Sequence, residues 1–528
     1  MTVVRGRWQY KPVWDGVGLI TVHISDRYER EMRRQSISLL VNIVHICCKN
    51  VGFIGILCWK NVTLPCKTIV KMLNMLSRKL DNYIERHYAN NKSALLLKGA
   101  RQVGKTSAIR RFAEKSKMNL IEINFYEDTS ARNLFDGAQN AKDILLRISA
   151  HTKKKTSLPN TMIFFDEVQK CPSVITWIKF LVDEGSCRYA LSGSLLGVEL
   201  QGVESVPVGY MAVKEVFPFD LEEFALCLGL SEQVLQSVHE AFENRTPVDP
   251  IVHNALMKMV HLYLVIGGMP AAVQAYVETN DLNVVEEKQQ EILSLYKWDI
   301  SQYDRDKKLE IDEIFNLIPS ELDAKNKRFV LKNLNESARF SRYENSFLWL
   351  KNAGVAIPTY NIQEPKISFK LNEQRNLFKL FQNDVGLLCF QYAAGIQLKL
   401  LQGEVKQNYG AIYENLVAQE LFCHGFGGDD HELHYFNSKR QGELDFVIAQ
   451  SGKVIPIEVK SGKDYHRHNA LTNILSDRNY NIDFAYVLTG DNVRVDEKRI
   501  YLPIYMLMFI KRTPSPSQQI FRLNLQDL

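Results

Sequence analysis

Short apolar runs alternate with polar and amphipathic stretches through the first half of the chain. They predict five strands, at 94–98, 119–125, 161–165, 188–192 and 211–217. The third run is apolar throughout its centre, which is typical of a strand that is buried on both faces. Because helical or loop segments separate the runs, the pattern predicts an α/β fold in which helices cover both faces of a parallel sheet.

A glycine-rich loop follows the first strand at 99–106, and it matches the pattern Gly-x-x-x-x-Gly-Lys-Ser/Thr at every position. A helical stretch comes next, so backbone N–H groups and the positive helix end can face phosphate oxygens. ATP and GTP both stay open because the loop does not read the base. We expect Lys105 to reach the β and γ phosphates and Thr106 to bind Mg²⁺. The residues assigned to nucleotide binding are Gly99, Ala100, Arg101, Gln102, Val103, Gly104, Lys105 and Thr106.

Polar residues also follow the third and fourth strands. Asp166 ends the third run, where a carboxylate can hold Mg²⁺ beside the phosphate loop, and the neighbouring Glu167 is the candidate base for the attacking water. Ser192 and Ser194 end the fourth run and are candidates for contact with the γ phosphate or this water, although Ser-Gly-Ser is also a generic turn. The predicted catalytic residues are therefore Glu167, Lys105, Ser192 and Ser194.

A second group of charged residues lies near the C-terminus. Two strand patterns, 442–450 and 453–460, are joined by Ser-Gly and predict a hairpin. Glu458 and Lys460 are two residues apart and share one strand face, Asp445 can lie opposite them, and a helical run at 409–420 can bring Glu414 to the same place. Three carboxylates and a lysine suit a second Mg²⁺ site for phosphodiester cleavage. A solvated hairpin with a Glu–Lys cross-pair is the ordinary alternative.

The remaining patterns divide the chain further. From about 231 the pattern is helical, with one break at Gly267-Gly-Met-Pro270, and short helices followed by a small β element at 311–360 suggest a winged helix. The predicted divisions are an ATPase core over 75–230, a helical region over 231–310, which the family resemblance given below implies is a helical lid, a winged-helix-like linking region over 311–395 and a nuclease-like domain over 396–528.

Composition gives no strong partner preference. The 528 residues are 46% hydrophobic and 24% charged, and a net charge of +5 permits nucleic-acid contact without arguing for it. Nine cysteines without metal-like spacing indicate a reducing compartment, so the cytoplasm is expected. Residues 1–74 are interpreted as an upstream extension outside the functional protein, with Met72 or Met75 as its natural start. A weak membrane anchor is the alternative, but Lys49 interrupts the apolar stretch, so no stable membrane association is expected.

From about Met75 onward, the chain resembles prokaryotic AAA-type ATPases that end in a domain of unknown function, number 4143. The resemblance implies an ATPase core, a helical lid and winged-helix region, and a tail similar to restriction-endonuclease folds. Its marks, besides 99–106, lie at 164–167, 191–194, 218–224, 267–270, 384–387, 442–445 and 457–460.

One departure from that family concerns the arginine that such ATPases usually place between the fourth and fifth strands. The segment 195–212 contains neither Arg nor Lys, and the nearest basic residues are Arg188 and Lys214. The sequence therefore does not predict a ring with a trans-acting arginine at this position, and hydrolysis without one is slower by roughly 10³-fold or more.

Three functions follow from these patterns, in this order. The first is an ATPase, with ATP and Mg²⁺, whose nucleotide state controls the C-terminal domain. The second is an ATP-regulated, Mg²⁺-dependent DNA endonuclease. The third is a non-catalytic protein that binds ATP and a protein partner.

Overall fold

The computed structural model describes four short N-terminal strands and residues 78–194, 209–302, 307–336, 339–392, 395–403, 409–427, 432–462 and 468–513. The chain forms two compact units, Met1–Ser77 and Arg78–Leu528. Apart from its strands, the predicted extension 1–74 lies outside the described residues. The strands of the first unit form one sheet with antiparallel outer pairs and a parallel central pair, and they are Val13–Trp14, Ile20–Val22, Ile56–Trp59 and Val62–Pro65.

The second unit begins with a parallel sheet of five described strands in the order β2-β3-β4-β1-β5. The predicted strands and their parallel arrangement are confirmed, and β3 is buried at every position, as its apolar sequence requires. Because β4 lies between β1 and β3, the loops after these three strands meet at one edge. The strands are β1 (Ala94–Lys98), β2 (Asn119–Asn124), β3 (Thr161–Asp166), β4 (Arg188–Gly193) and β5 (Met211–Glu215).

Helices pack on this sheet through regularly spaced apolar side chains. Stacked aromatic rings, such as those of Phe125 and Phe165 with centroids 5.9 Å apart, fill the core on one face. The helices of this region are α1 (Lys79–Asn90), α2 (Lys105–Lys115), α3 (Ala141–Thr152) and α4 (Ser173–Glu184), with 3-10 turns at Ser130–Phe135 and Val168–Lys170.

The region that follows is helical, as predicted. Asp249 caps one helix by accepting hydrogen bonds from the N–H groups of Ile251 and Val252, and Pro250 occupies the first turn, where no N–H is needed. The helices are α5 (Leu221–Cys227), α6 (Glu232–Asn244), α7 (Pro250–Ile266), α8 (Pro270–Thr279) and α9 (Leu282–Gln302). Among the described residues, no helix combines the length and the apolar character that crossing a membrane requires.

Two further helices, α10 (Lys308–Asp323) and α11 (Phe340–Asn352), precede an antiparallel hairpin of β6 (Ala356–Ile362) and β7 (Glu373–Gln382). Helices followed by a small β element are the order that the winged-helix interpretation predicts. However, β6 also pairs in parallel with β8 (Leu433–Ser438), so the hairpin belongs to a larger sheet. The sheet therefore crosses the predicted division at 395/396, which stays a prediction.

That larger sheet is mixed and has eight described strands in the order β7-β6-β8-β9-β10-β11-β13-β12. The predicted hairpin is confirmed as β9 (Gly442–Gln450) and β10 (Lys453–Val459), which pair antiparallel. The other strands are β11 (Ala485–Thr489), β12 (Arg494–Asp496) and β13 (Arg499–Pro503). The associated helices are α12 (Val385–Phe390), α13 (Ile396–Leu401), α14 (Gly410–Leu421) and α15 (Asn469–Ser476), with 3-10 turns at Leu331–Asn333, Phe369–Leu371 and Ile504–Phe509.

Candidate functional sites

The loop between β1 and α2 has the backbone that phosphate binding requires. Gly99 has φ +146° and Gly104 has φ +90°, both in the region that favours glycine. A side chain on Gly99 would also overlap the carbonyl group of Val216, which follows β5. Both glycines are therefore required by the geometry of the loop, and α2 begins directly after it with its N-terminal N–H groups available.

Lys105 is buried and folds back onto this loop. Its Nζ donates hydrogen bonds to the carbonyl oxygens of Gly99, at 2.9 Å, and Ala100, at 2.8 Å. Burial lowers the pKa of Lys105 to about 8, against the opposing charges of Glu167 and Asp166. The ammonium group therefore lies over the loop with partners that a phosphate can replace.

Asp166 lies beside Thr106, so the structure brings the two predicted Mg²⁺ ligands together. The Thr106 hydroxyl donates to Asp166 Oδ2 at 3.0 Å, and the Ser192 hydroxyl donates to Oδ1. Burial raises the pKa of Asp166, and the hydrogen bond from Ser192 opposes this rise. In this arrangement Ser192 orients Asp166.

Glu167 has a left-handed backbone, with φ 57°, and its carboxylate points to the end of β4. Ser194 Oγ donates to Glu167 Oε2 at 3.2 Å. The side chain of Gln169 also donates to this carboxylate, and its Nε2 lies 3.3 Å from Ser194 Oγ. Gln169 is not among the predicted site residues, although its place two residues after Glu167 was the available signal.

Contacts with residues outside the 99–106 motif also hold the phosphate loop. The buried guanidinium group of Arg78 donates to the Val103 carbonyl at 2.6 Å. Arg101, which the sequence assigned to nucleotide binding, has its Nε 2.8 Å from the Asp299 carboxylate on α9. A Cβ on Gly354 would lie 3.0 Å from the Ala100 nitrogen, so the segment before β6 packs directly on the loop.

Arg188 and Lys214, the basic residues nearest to segment 195–212, both contact tyrosine residues of α1. Arg188 donates to the Tyr88 carbonyl at 2.6 Å, and the Lys214 ammonium lies 5.1 Å from the centroid of the Tyr83 ring. Most of that segment, 195–208, lies outside the described residues. The prediction about a trans-acting arginine therefore stays a prediction.

The predicted C-terminal residues converge around the buried Lys379 and the partly exposed Lys327. Lys379 on β7 is fully buried, with its Nζ 2.7 Å from Glu443 Oε1 and 3.4 Å from Glu414 Oε2. Lys327 also contacts the Glu414 carboxylate. These two ammonium groups hold the pKa of Glu414 below its usual range in spite of burial.

Asp445 and Glu458 lie on neighbouring strands next to Glu414. Asp445 Oδ2 accepts the Val459 N–H at 2.8 Å, and Lys460 Nζ donates to Glu458 Oε1 at 2.7 Å. Burial raises the pKa of Asp445 well above its usual range and also raises that of Glu458. The ligand oxygens of Glu414, Asp445 and Glu458 do not all lie within 4.8 Å of one another, so the second Mg²⁺ site stays a prediction.

Comparison with known families matches three parts of the chain. The model of the AAA domain matches residues 91–225. Two domains of unknown function follow, DUF8612 at 257–399 and DUF4143 at 409–507. No curated protein matches the chain.

Solved structures with partial similarity include the Walker-type ATPase PABY2304 of Pyrococcus abyssi. It is 15% identical with a TM-score of 0.36, and the alignment covers 60% of this chain and 96% of that one. The Orc1 protein of Aeropyrum pernix, solved in complex with DNA, is 12% identical with a TM-score of 0.25, covering 61% and 91%. The RuvB Holliday junction branch migration motor of Thermotoga maritima is 14% identical with a TM-score of 0.24, covering 52% and 87%.

Proposed function

From the premise that this chain is an AAA-type P-loop protein with a DUF4143 domain, we propose that it hydrolyses ATP and that its nucleotide state controls the C-terminal domain. The observation that carries the proposal is the contact between the phosphate loop and residues of the later domains. A loop that changes on ATP binding pushes on those residues directly. The two parts of the proposal, hydrolysis and control, rest on different contacts and are tested separately.

The loop residues fit the triphosphate of ATP and its Mg²⁺. Gly99 and Gly104 give the loop its left-handed backbone, and the Lys105 ammonium can exchange two carbonyl partners for phosphate oxygens. Thr106 and Asp166 would hold Mg²⁺, which when bound with ATP neutralises charge on the phosphates. Ser192 keeps the Asp166 carboxylate turned towards Thr106.

Glu167 would orient the attacking water and accept its proton. Its carboxylate is fixed by donors from Ser194 and Gln169, which limits its rotation. A base held in one orientation reduces the entropy cost of reaching the in-line geometry. No arginine finger is assigned, so slow turnover suited to a switch is expected.

Control of the C-terminal domain would run through two contacts of the loop. Arg101 connects the loop to Asp299 on α9, and Ala100 touches Gly354, which leads into β6. Because β6 pairs with β8 of the C-terminal sheet, displacement of Gly354 reaches that sheet through paired strands.

The first experiment measures ATP hydrolysis by the full chain, with and without DNA. Lys105→Ala and Glu167→Gln should each abolish turnover, while Glu167→Gln should still bind ATP. A matched control is Lys179→Ala, since Lys179 contacts the ring of Tyr210 rather than the loop. Turnover that persists in both site variants would show that the site assignment is wrong.

Control is tested by hydrogen exchange in Glu167→Gln, which should hold ATP without consuming it. ATP should change amide exchange in the β6–β7 hairpin, and Lys105→Ala should show no such change. An exchange difference confined to 91–225 would contradict control of the C-terminal domain while leaving hydrolysis intact.

A Mg²⁺-dependent DNA endonuclease is the second candidate function. It is favoured by the meeting of Asp445, Glu458 and Glu414 in one buried cluster, where burial and the neighbouring carboxylates raise the pKa values of Asp445 and Glu458. Entry of Mg²⁺ would require Lys379 or Lys327 to withdraw from Glu414.

Plasmid nicking with Mg²⁺ and ATP tests this second candidate. Asp445→Asn and Lys460→Ala should each abolish nicking, whereas Asp483→Asn, which changes an exposed partner of Lys453, should not. Absence of nicking together with tight ATP binding would favour the third function, in which the domain binds a protein partner.

A further inference from the structure

A polar cluster lies where the C-terminal domain meets the ATPase core, and its Cys423 lines one cavity with Gly99 and Val103 of the phosphate loop. Helix α14 ends in a π-helical turn, Phe422–Phe426, which carries Cys423 and His424 and contains Gly425 at φ +91°. Such turns are rare in proteins, and those that occur often lie at functional sites. Facing this turn is Asp220, the N-cap residue of α5.

The side chains of this cluster are spaced like the ligands of one metal ion. The ligand atoms of Asp220, Cys423 and His424 all lie within 4.8 Å of one another. His424 Nε2 is 3.7 Å from Asp220 Oδ2 and 3.6 Å from Glu420 Oε2. In a tetrahedral zinc site with bonds of about 2.0–2.3 Å, neighbouring ligand atoms are separated by about 3.3–3.8 Å.

Two buried atoms of the cluster lack hydrogen-bond partners within the described part of the chain. They are His424 Nε2 and Glu420 Oε2, and both residues are more than nine-tenths buried. The other oxygen of Glu420 accepts the Leu221 N–H at 2.9 Å, so the carboxylate is fixed with Oε2 towards His424. Buried polar groups are normally satisfied, which indicates that the cluster is built for an additional partner.

The orientation of His424 identifies that partner as a cation. Its Nδ1 lies 3.0 Å from the Ile510 carbonyl, so Nδ1 carries the hydrogen, and in the neutral ring Nε2 presents its lone pair to the cluster. Metal-bound histidines typically have this arrangement, in which the second ring nitrogen donates to a carbonyl or carboxylate.

The charges around the cluster also call for a cation. The carboxylates of Asp220 and Glu420 both lie within 3.7 Å of His424 Nε2. Lys79 contacts Asp220 and Glu222, and its side chain is 42% exposed. A divalent ion together with the Lys79 ammonium balances the carboxylates of Asp220 and Glu420 and a thiolate of Cys423.

We propose that Asp220, Cys423 and His424 bind one Zn²⁺ ion that ties the start of α5 in the ATPase core to the turn after α14 in the C-terminal domain, with the Glu420 carboxylate beside His424. A carboxylate oxygen, a sulfur and a nitrogen are donor types that zinc accepts, and a water would complete four-coordination. Because the ion would join two elements of the fold, we assign it a structural role. The Cys423 thiol now donates to the Glu420 carbonyl oxygen, with Sγ 3.3 Å from it. On binding, Zn²⁺ displaces this thiol proton, which leaves to solvent.

The test uses the full chain, purified without chelator, and measures zinc by elemental analysis. One equivalent of zinc per chain is expected, and substitution with Co²⁺ should give a thiolate-to-cobalt absorption band. Cys423→Ser should remove this band. Loss of an outer-shell partner already lowers metal affinity about 10–100-fold, so loss of the thiolate should lower zinc affinity at least as much.

Cys187→Ser is the matched control, because Cys187 is similarly half-buried but donates to the Thr156 carbonyl. It should keep both the zinc and the cobalt band. Absence of bound zinc in the wild-type chain after reconstitution would overturn the proposal, as would zinc retained equally by Cys423→Ser and His424→Ala. These readouts are independent of ATP turnover, so the zinc site and the proposed function can fail separately.

Discussion

Gln169 offers the sharpest test of the proposed catalytic arrangement. Its described side-chain hydrogen bonds reach the candidate base Glu167 and Ser194, and none of them reaches the phosphate-loop motif. Its side-chain amide donates to the Glu167 carboxylate and to Ser194 Oγ, and the residue is 4% exposed. Gln169→Leu keeps the approximate size and removes the donors. A hydrogen bond to a charged group contributes about 1.5–3 kcal/mol. If that energy serves the transition state, kcat falls about 10- to 150-fold.

The assay compares kcat at saturating ATP with ATP affinity measured by displacement of a fluorescent nucleotide. We expect kcat to fall and the affinity to stay unchanged, because the interaction that is lost orients the base. Gln236→Leu is the matched control, since this exposed amide donates to Glu240 at 3.1 Å on a surface helix. It should change neither quantity.

Two results would refute the reasoning. An unchanged kcat at wild-type affinity would mean that the orientation of Glu167 by Gln169 does not matter for turnover. A loss of ATP affinity at unchanged kcat would mean that Gln169 contributes to ground-state binding, in which case its contact with Glu167 is structural.

Three further predictions concern charge. Because the pKa of Lys105 is lowered to about 8 and phosphate binding requires the ammonium form, ATP affinity should fall about tenfold per pH unit above this value, and Lys105→Arg should remove the slope in ATP titrations. In the wild type the Gly268 N–H donates to the Asp384 carboxylate at 2.6 Å. Asp384→Asn would place an amide donor against this N–H and should lower the free energy of unfolding in urea by about 2–3 kcal/mol. Burial raises the pKa of Asp384 to about 6, so protonation of this group stabilises the wild type as pH falls below 6, and the variant should lack that gain. Lys379→Met leaves buried carboxylates without a positively charged partner and should lower the free energy of unfolding by about 3–5 kcal/mol in the same assay. Adding Glu414→Gln should recover part of this loss.

The controls for the stability variants are surface residues of the same type. Asp249→Asn changes an exposed N-cap and should cost about 1 kcal/mol or less. Lys366→Met removes an exposed pair with Glu364 and should leave the free energy of unfolding nearly unchanged. Equal losses in the buried and exposed variants would contradict the importance assigned to burial.

The sequence predicted the strands, the phosphate loop and the hairpin because their signals are local. Apolar runs bounded by turn residues define strands, and the spacing of Gly99, Gly104 and Lys105 is a property of one short segment. The placement of Ser192 and Ser194 beside Asp166 and Glu167 also followed, because parallel strands bring their carboxyl ends to one edge.

Contacts between residues that are far apart in the sequence could not be predicted from such local signals. Asp299 and Gly354 touch the phosphate loop from helical and linking regions in which no local pattern marks them. The motif at 267–270 was interpreted only as a turn. In the structure, a side chain on Gly268 would overlap the Phe219 carbonyl, and one on Gly386 would overlap the backbone of Ile266. These glycines are required by close backbone packing, which only the fold reveals.

The β6–β7 hairpin has a consequence for any truncated form of the protein. Thr359 to Ile362 of β6 pair with Leu433 to Phe436 of β8, so the hairpin covers one edge of the C-terminal sheet. A polypeptide that begins at 396 would leave the N–H and C=O groups along β8 open to other chains, with buried side chains such as Tyr435 beside them. An uncovered apolar strand edge is a template for aggregation. The hairpin therefore protects this strand edge, and we expect a fragment that holds DUF4143 without this upstream strand pair to associate through β8.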